Sequence, residues 1–153
     1  MIACTNATPL DVPDIDRLAR LAGLEVDAAR SLTLPHARLS CARERIDGRF
    51  LGFLSAWHVA DEIELLDLAT EPSQRRRGVA SALLQELTST AVSLAASAVF
   101  LELRSSNHGA LALYAKHGFR VVHERKNYYR DPVENAVCMR LDLDPRPPRG
   151  PAQ

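Results

Sequence analysis

Apolar positions recur along this chain with two different periods. Near the start, Ile15, Leu18 and Leu21/Ala22 lie three or four residues apart, which predicts a short helix that Asp14 or Thr8 could cap and that stops near Gly23. Residues 24 to 45 give a mixed signal, with "VDAARSL" readable as a second helix interrupted before Pro35 and "HARLSCARE" as a strand. The period then shortens. "RIDGRFLGFLSAWHVADEIELLDLAT" predicts a strand, a turn at Asp47 and Gly48, a strand through Phe53 and Trp57, a turn at Asp61 and another strand, which together make an antiparallel meander.

That last strand, Glu62 to Thr70, changes phase. Ile63 and Leu65 alternate in one register and Leu66 and Leu68 in the other, so one residue is extra, as in a β-bulge. Immediately after Gly78, a stripe of Ala80, Leu83, Leu84, Leu87, Ala91 and Leu94 predicts a helix. "AVFLELRSS" follows as a nearly all-apolar strand, the kind expected at the centre of a sheet covered on both faces. "NHGALALYAKHGF" reads as a helix capped by Asn107 and ended by Gly118, and "RVVHERKNYY" and "NAVCMRLDL" as two more strands. The predicted fold class is α/β, a mixed sheet with helices on both faces.

Composition narrows the function classes. A chain of 153 residues, 46% hydrophobic and 25% charged, predicts a single domain over residues 1–143. "DPRPPRGPAQ", residues 144–153, predicts a disordered Pro-rich tail. A formal charge of zero argues against coating nucleic acid or an anionic membrane. The signs do separate, with 7 Lys/Arg against 11 Asp/Glu in residues 1–70 and 12 against 8 in residues 71–153, so an anionic ligand is expected to meet the second half. Cys4, Cys41 and Cys138 form no paired motif and the histidines no HxxxH, so neither a disulfide framework nor a metal site is expected. With no charged-then-apolar leader and no run near the ~20 apolar residues of a membrane span, a cytoplasmic location is the expectation.

"EPSQRRRGVASALLQEL" carries the candidate chemistry. Gly78 at the mouth of a helix lets the backbone approach a ligand, and the free N–H groups of the first turn, with the dipole behind them, bind phosphates. A solvated run of Arg75, Arg76 and Arg77 ahead of an ordinary helix start explains the spacing equally well. No Walker loop, no GxGxxG fingerprint and no GxSxG elbow occurs.

Taken in order, the second half resembles a known family. "RRRGVA" fits the (Q/R)xxGx(G/A) acyl-CoA pyrophosphate motif of the GNAT acetyltransferases, with Arg75, Gly78 and Ala80 in its defined places. "LELRSSNHGALALYAKHGF", "ERKNYY" and "ENAVCMRLDL" continue the likeness, and the fuller pattern over roughly residues 62–143 resembles the RimI-type enzymes that acetylate a ribosomal protein's terminal alanine. The resemblance implies a GNAT-like fold, a mostly antiparallel twisted sheet with a splayed central parallel pair. It implies acetyl-CoA as co-substrate, held by the backbone of Leu68, Ala69 and Thr70 at the pantetheine arm and by the N–H groups of Arg76, Arg77, Gly78, Val79, Ala80 and Ser81 at the pyrophosphate, with Arg75 and Asn107 also in contact. A backbone donor on the bulged strand would stabilise the oxyanion. It makes Glu102 the general base and Tyr114 the general acid, and lets Asn127, Tyr128 and Tyr129 line the acceptor groove. The implied partners are acetyl-CoA and an acceptor protein N-terminus, with a ribosomal protein as one candidate and neither nucleic acid nor membrane.

By residue type alone, Glu102 is a carboxylate set into a largely apolar strand, where burial would raise its pKa toward that of a useful base, or else a solvated glutamate paired with an arginine. Tyr114 is an acid or an aromatic packed on the sheet. The first half departs from the RimI pattern, because "GLEVDAARSLTLPHARLS" is short and lacks the family's Pro-Trp-Ser-like acceptor loop, and Trp57 falls on a strand. Three other readings therefore stand beside an N-terminal acetyltransferase: a GNAT enzyme for small amines or internal lysines, a non-catalytic CoA-binding regulator and, more remotely, an RNA-associated module using the arginines.

Overall fold

The computed structural model describes residues 1–143, and the Pro-rich tail of residues 144–153 lies outside them. Seven strands form one sheet in the order β1-β2-β3-β4-β5-β7-β6. They are β1 (Ile2–Asn6), β2 (Ala37–Glu44), β3 (Phe50–Val59), β4 (Glu62–Thr70), β5 (Ala98–Arg104), β6 (Arg120–Tyr129) and β7 (Glu134–Asp142). The helices are α1 (Val12–Leu21), α2 (Ala28–Ser31), α3 (Val79–Ser93) and α4 (His108–Lys116). Among the described residues no helix is long and apolar enough to cross a membrane.

The predicted elements appear, with β1 as an unforeseen edge strand. Thr8 caps a 3-10 turn, Pro9–Asp11, and exchanges a capping box with Asp11 before α1 begins. Asp14 lies inside the helix. α1 lays Ile15, Leu18 and Ala19 against Leu39, Cys41, Phe50 and Phe53 on one face of the sheet. Burying a side chain such as Ile15 or Leu18 contributes about 2 kcal/mol each at most. On the other face, Leu83, Leu84 and Leu87 of α3 join Val99, Leu101, Leu103, Tyr114 and Phe119 in the larger core.

Strand β5 corrects one expectation. Val99, Leu101 and Leu103 are buried, but Phe100 is half-buried and Glu102 exposed, so only one face of this strand is covered. An apolar run without clean alternation cannot say which face the helices leave open; α3 and α4 take one side, while α1 and α2 sit over β2 to β4 on the other.

The sheet opens in its middle. Among the described residues β4 and β5 are the one parallel pair, and they pair only from Glu62–Ala98 to Glu64–Phe100. Beyond that point β4 carries its bulge: Ser55 faces Asp67 and Ala56 faces Leu65, so Leu66 is the extra residue. The phase change read from the sequence is thus a backbone feature at the mouth of the gap.

Candidate functional site

Downstream of the bulge, β4 runs toward the N-terminus of α3 along one wall of a cleft of about 850 Å³. Leu68, Ala69 and Thr70 line that wall. Arg75, Arg76, Gly78, Val79, Ala80 and Ser81 form its end, where the chain turns into α3. Gly78 holds φ 82°, a left-handed conformation that costs residues with a Cβ about 1–2 kcal/mol. Its carbonyl accepts the N–H of Ala82, so the N–H groups of Val79, Ala80 and Ser81 precede the first intrahelical bond and point out of the helix.

The opposite wall is α4. Asn107 caps it by accepting from the Ala110 N–H at 3.2 Å, and Gly109, Ala110 and Leu113 line the cleft with it. Glu134 of β7 accepts from the Ser106 N–H at 2.6 Å and pairs with Arg104 at 3.3 Å, which fixes the approach to this cap. Lys116 joins Arg75 and Arg76 on the lining, and no carboxylate is among the described lining residues. A cleft with three cations, a helix N-terminus and an apolar strand wall suits a ligand with an anionic end and an extended neutral arm. Nε2 of His117 lies 3.0 Å from Oγ of Ser81 and ties the end of α4 to the start of α3.

Arg77, expected at the cofactor through its backbone N–H, turns its side chain elsewhere. Its guanidinium donates to Oε2 of Glu44 at 2.8 Å and also contacts Gln74, and it lies outside the cleft lining. Three adjacent arginines look alike in sequence, yet the left-handed Arg76 (φ 64°) reverses the chain between them and sends Arg77 to β2.

The two expected catalytic side chains start from opposite faces of the sheet. Glu102 lines a pocket of about 280 Å³ together with Glu64, His123, Arg125 and Cys138. Nε of Arg125 lies 3.4 Å from its Oε1, and Sγ of Cys138 lies 3.5 Å from the same oxygen. Of the two readings of Glu102, the structure shows the glutamate at an open face paired with an arginine. Tyr114 is buried in the core, edge-to-face with Phe119 at 5.6 Å. Burial, with the charge of Asp67 adding to it, pushes its hydroxyl up to about 12. Tyr128 and Tyr129 meet edge-to-face at 5.1 Å on the exposed β6, beneath Arg125 and Arg104 respectively.

Asp67 escaped the sequence reading. It is half-buried beside the gap, with Oδ2 accepting from Oγ of Ser55 at 2.7 Å, and burial pushes its carboxyl above the usual range. A lone aspartate within a leucine-rich strand gave no pattern to flag; only the bulge hinted that this stretch does more than pair.

A mixed sheet opened at one parallel pair, with a glycine-fronted helix and a cationic cleft at the opening, is the framework of an acyltransferase. The chain belongs to the acetyltransferase (GNAT) family, whose model matches residues 14–119. It is 34% identical over 99 residues to the [ribosomal protein bS18]-alanine N-acetyltransferase of Escherichia coli K12, covering 63% of this chain and 67% of that one. It is 33% identical over 117 residues to the N-alpha-acetyltransferase RimI of Mycobacterium tuberculosis, covering 74% and 71%. The crystal structure of the ribosomal-protein-S18-alanine N-acetyltransferase from Escherichia coli superposes with a TM-score of 0.85 at 25% identity, over 97% of this chain and 98% of that one.

Proposed function

We propose that the protein transfers the acetyl group of acetyl-CoA to the α-amine of a protein N-terminus. The observation that carries this reading is the cleft, whose cationic, glycine-fronted end and β4 wall match the two ends of acetyl-CoA, in a chain with one relative named a ribosomal protein bS18-alanine N-acetyltransferase and another an N-alpha-acetyltransferase. The N–H groups of Val79 to Ser81 would hold the pyrophosphate, Arg75, Arg76 and Lys116 would add charge, and Leu68 to Thr70 would carry the pantetheine arm to the gap. The reaction belongs in the cytosol, where acetyl-CoA and new N-termini meet.

An α-amine, with a reference pKa near ~8, is about a tenth neutral at pH 7, whereas a lysine near ~10.4 is less than a thousandth neutral. A terminal amine thus asks little of Glu102, which takes its proton through water from the open face. The neutral nitrogen attacks the thioester carbonyl, and a β4 N–H stabilises the oxyanion. With a hydroxyl at about 12 against a thiol near ~8.5, full proton transfer from Tyr114 to the thiolate is uphill by about 5 kcal/mol. Tyr114 therefore acts as a hydrogen-bond donor that never loses its proton, and solvent completes the thiol.

The test is acetyl-CoA consumption with peptides that begin in alanine, compared with N-blocked lysine peptides and polyamines. Preference for the alanine N-terminus is expected, and turnover confined to lysine or polyamine would overturn the acceptor assignment. Within the same assay, Gly78→Val should weaken acetyl-CoA binding at least about tenfold, because the left-handed backbone resists a β-branched residue and the new side chain enters ligand space; among the described residues, none beyond its chain neighbours has an atom within 4 Å of the Cβ position. Arg77→Ala should change the acetyl-CoA Kd less than about threefold, since that side chain serves Glu44. A reversed order in titration calorimetry would move the pyrophosphate site off the helix end.

A further inference from the structure

Two cavities meet at Asp67. Leu66 and Asp67 line a pocket of about 400 Å³ under α2, whereas Leu68 begins the lining of the cofactor cleft. The same exchange occurs after α1, where Leu24 lines the cleft and Glu25 the pocket. Two separate segments thus pass from one cavity to the other between adjacent residues, which places the two linings one residue apart at both points. A cofactor whose phosphates rest at α3 and whose arm follows Thr70 to Leu68 presents its thioester to this junction, and an acceptor in the pocket reaches it past Asp67.

Three carboxylates, Glu25, Asp27 and Asp67, line the pocket against Arg30 and Arg38, and of the three Asp67 lies at the boundary with the cleft on β4. Asp11, Glu44, Glu71, Glu102, Glu134 and Asp142 each pair with a cation within the protein. Asp67 has the Ser55 hydroxyl as its hydrogen-bond partner, and although Arg30 and Arg38 line the same pocket, neither pairs with it among the described residues. Its charge nevertheless reaches Tyr114 and burial works against its ionised form, so a cation arriving from the pocket would relieve both. Glu102 lines a different pocket and already holds Arg125.

We propose that Asp67 is the acceptor-binding carboxylate, which receives the protonated α-amine of the incoming N-terminus at the junction of pocket and cleft and positions it against the thioester. This rests on the acetyltransfer reading above and adds to it the residue that selects a cationic amine. Glu102 remains the proton acceptor; Asp67 forms a charge-assisted hydrogen bond and no covalent step passes through it.

Asp67→Asn keeps the size of the side chain and an oxygen for Ser55. In steady-state assays of the full chain with an alanine-terminated peptide, it should raise the peptide KM about tenfold while kcat changes less than about threefold and the acetyl-CoA Kd is unchanged. A desamino peptide, carrying hydrogen in place of the terminal amino group, should compete equally against wild type and Asp67→Asn, whereas the amine-bearing peptide should lose its advantage over it in the variant. Ser55→Ala, which removes the hydroxyl donor, should shift the peptide KM by a smaller factor and serves as the second variant if Asp67→Asn folds poorly. A wild-type peptide KM in Asp67→Asn overturns the proposal, as does a joint loss of kcat, acetyl-CoA affinity and melting temperature, which would mark a structural role. Wild-type turnover of lysine or polyamine alone would overturn only the N-terminal reading, and the same KM comparison on that amine would then decide Asp67. Acetyl-CoA binding without turnover of any amine would overturn both.

Discussion

Gly52→Ala should lower the melting temperature by roughly 9 °C and remove acetyl-CoA binding at concentrations that saturate the wild type. Gly52 sits on β3 opposite Thr70, and a Cβ there would lie 2.5 Å from the carbonyl oxygen of Ala69 and 3.2 Å from both Thr70 Cα and Val79 Cγ1. The first two contacts are backbone, which has no rotamer to change. β4 must therefore move, at about 3 kcal/mol, the upper part of the usual cost of overfilling a packed site. The displaced atoms belong to Ala69 and Thr70, on the cleft wall, and Val79 opens the helix whose N–H groups are proposed to hold the pyrophosphate. Stability and cofactor affinity thus fall together. Calorimetric scans and binding titrations measure both, and a variant with a wild-type melting temperature would show that β3 and β4 are less closely apposed than this structure has them.

Glu102→Gln is expected to reduce kcat about 100-fold at pH 7, near the lower end of what a general base contributes, with the acetyl-CoA Kd unchanged. The low end follows from the acceptor, because about a tenth of an α-amine is already neutral at that pH. As pH rises past ~8 the neutral fraction approaches one, so the defect should shrink to roughly tenfold by pH 9. The substitution also leaves Arg125 without its carboxylate, but that side chain is 52% exposed and water can solvate it. A kcat equal to wild type across the pH range would remove Glu102 from the mechanism.

Much of the framework was legible because its causes are local. The Ile63/Leu65 to Leu66/Leu68 phase change located the bulge, since an extra residue in a strand must break a period of two. Asn107, Gly78 and Gly118 marked helix ends through capping and positive φ, which depend on neighbours a few residues away. Ten of the residues expected at the cofactor line one cleft because the motif is a single continuous turn between β4 and α3, with Asn107 brought in by α4.

What sequence missed depends on contacts between distant segments. Arg75 to Arg77 are alike as letters; the partner that draws Arg77 away is Glu44, 33 residues earlier. Which of the two readings of Glu102 holds was not legible, because the face a strand leaves uncovered is set by which side the helices pack on, and Arg125 reaches it only through the β5-β7-β6 pairing. Gly52 is one glycine within a strand until β4 lies against it. Asp67 is one aspartate until the loop after α1 closes over the strand and two cavities share its edge. Periodicity and backbone stereochemistry alone locate most of the elements, the bulge and the glycine-fronted turn ahead of α3. The partners of Asp67 and Arg77 come from the fold instead, because charge balance and burial are properties of residues brought together across the chain.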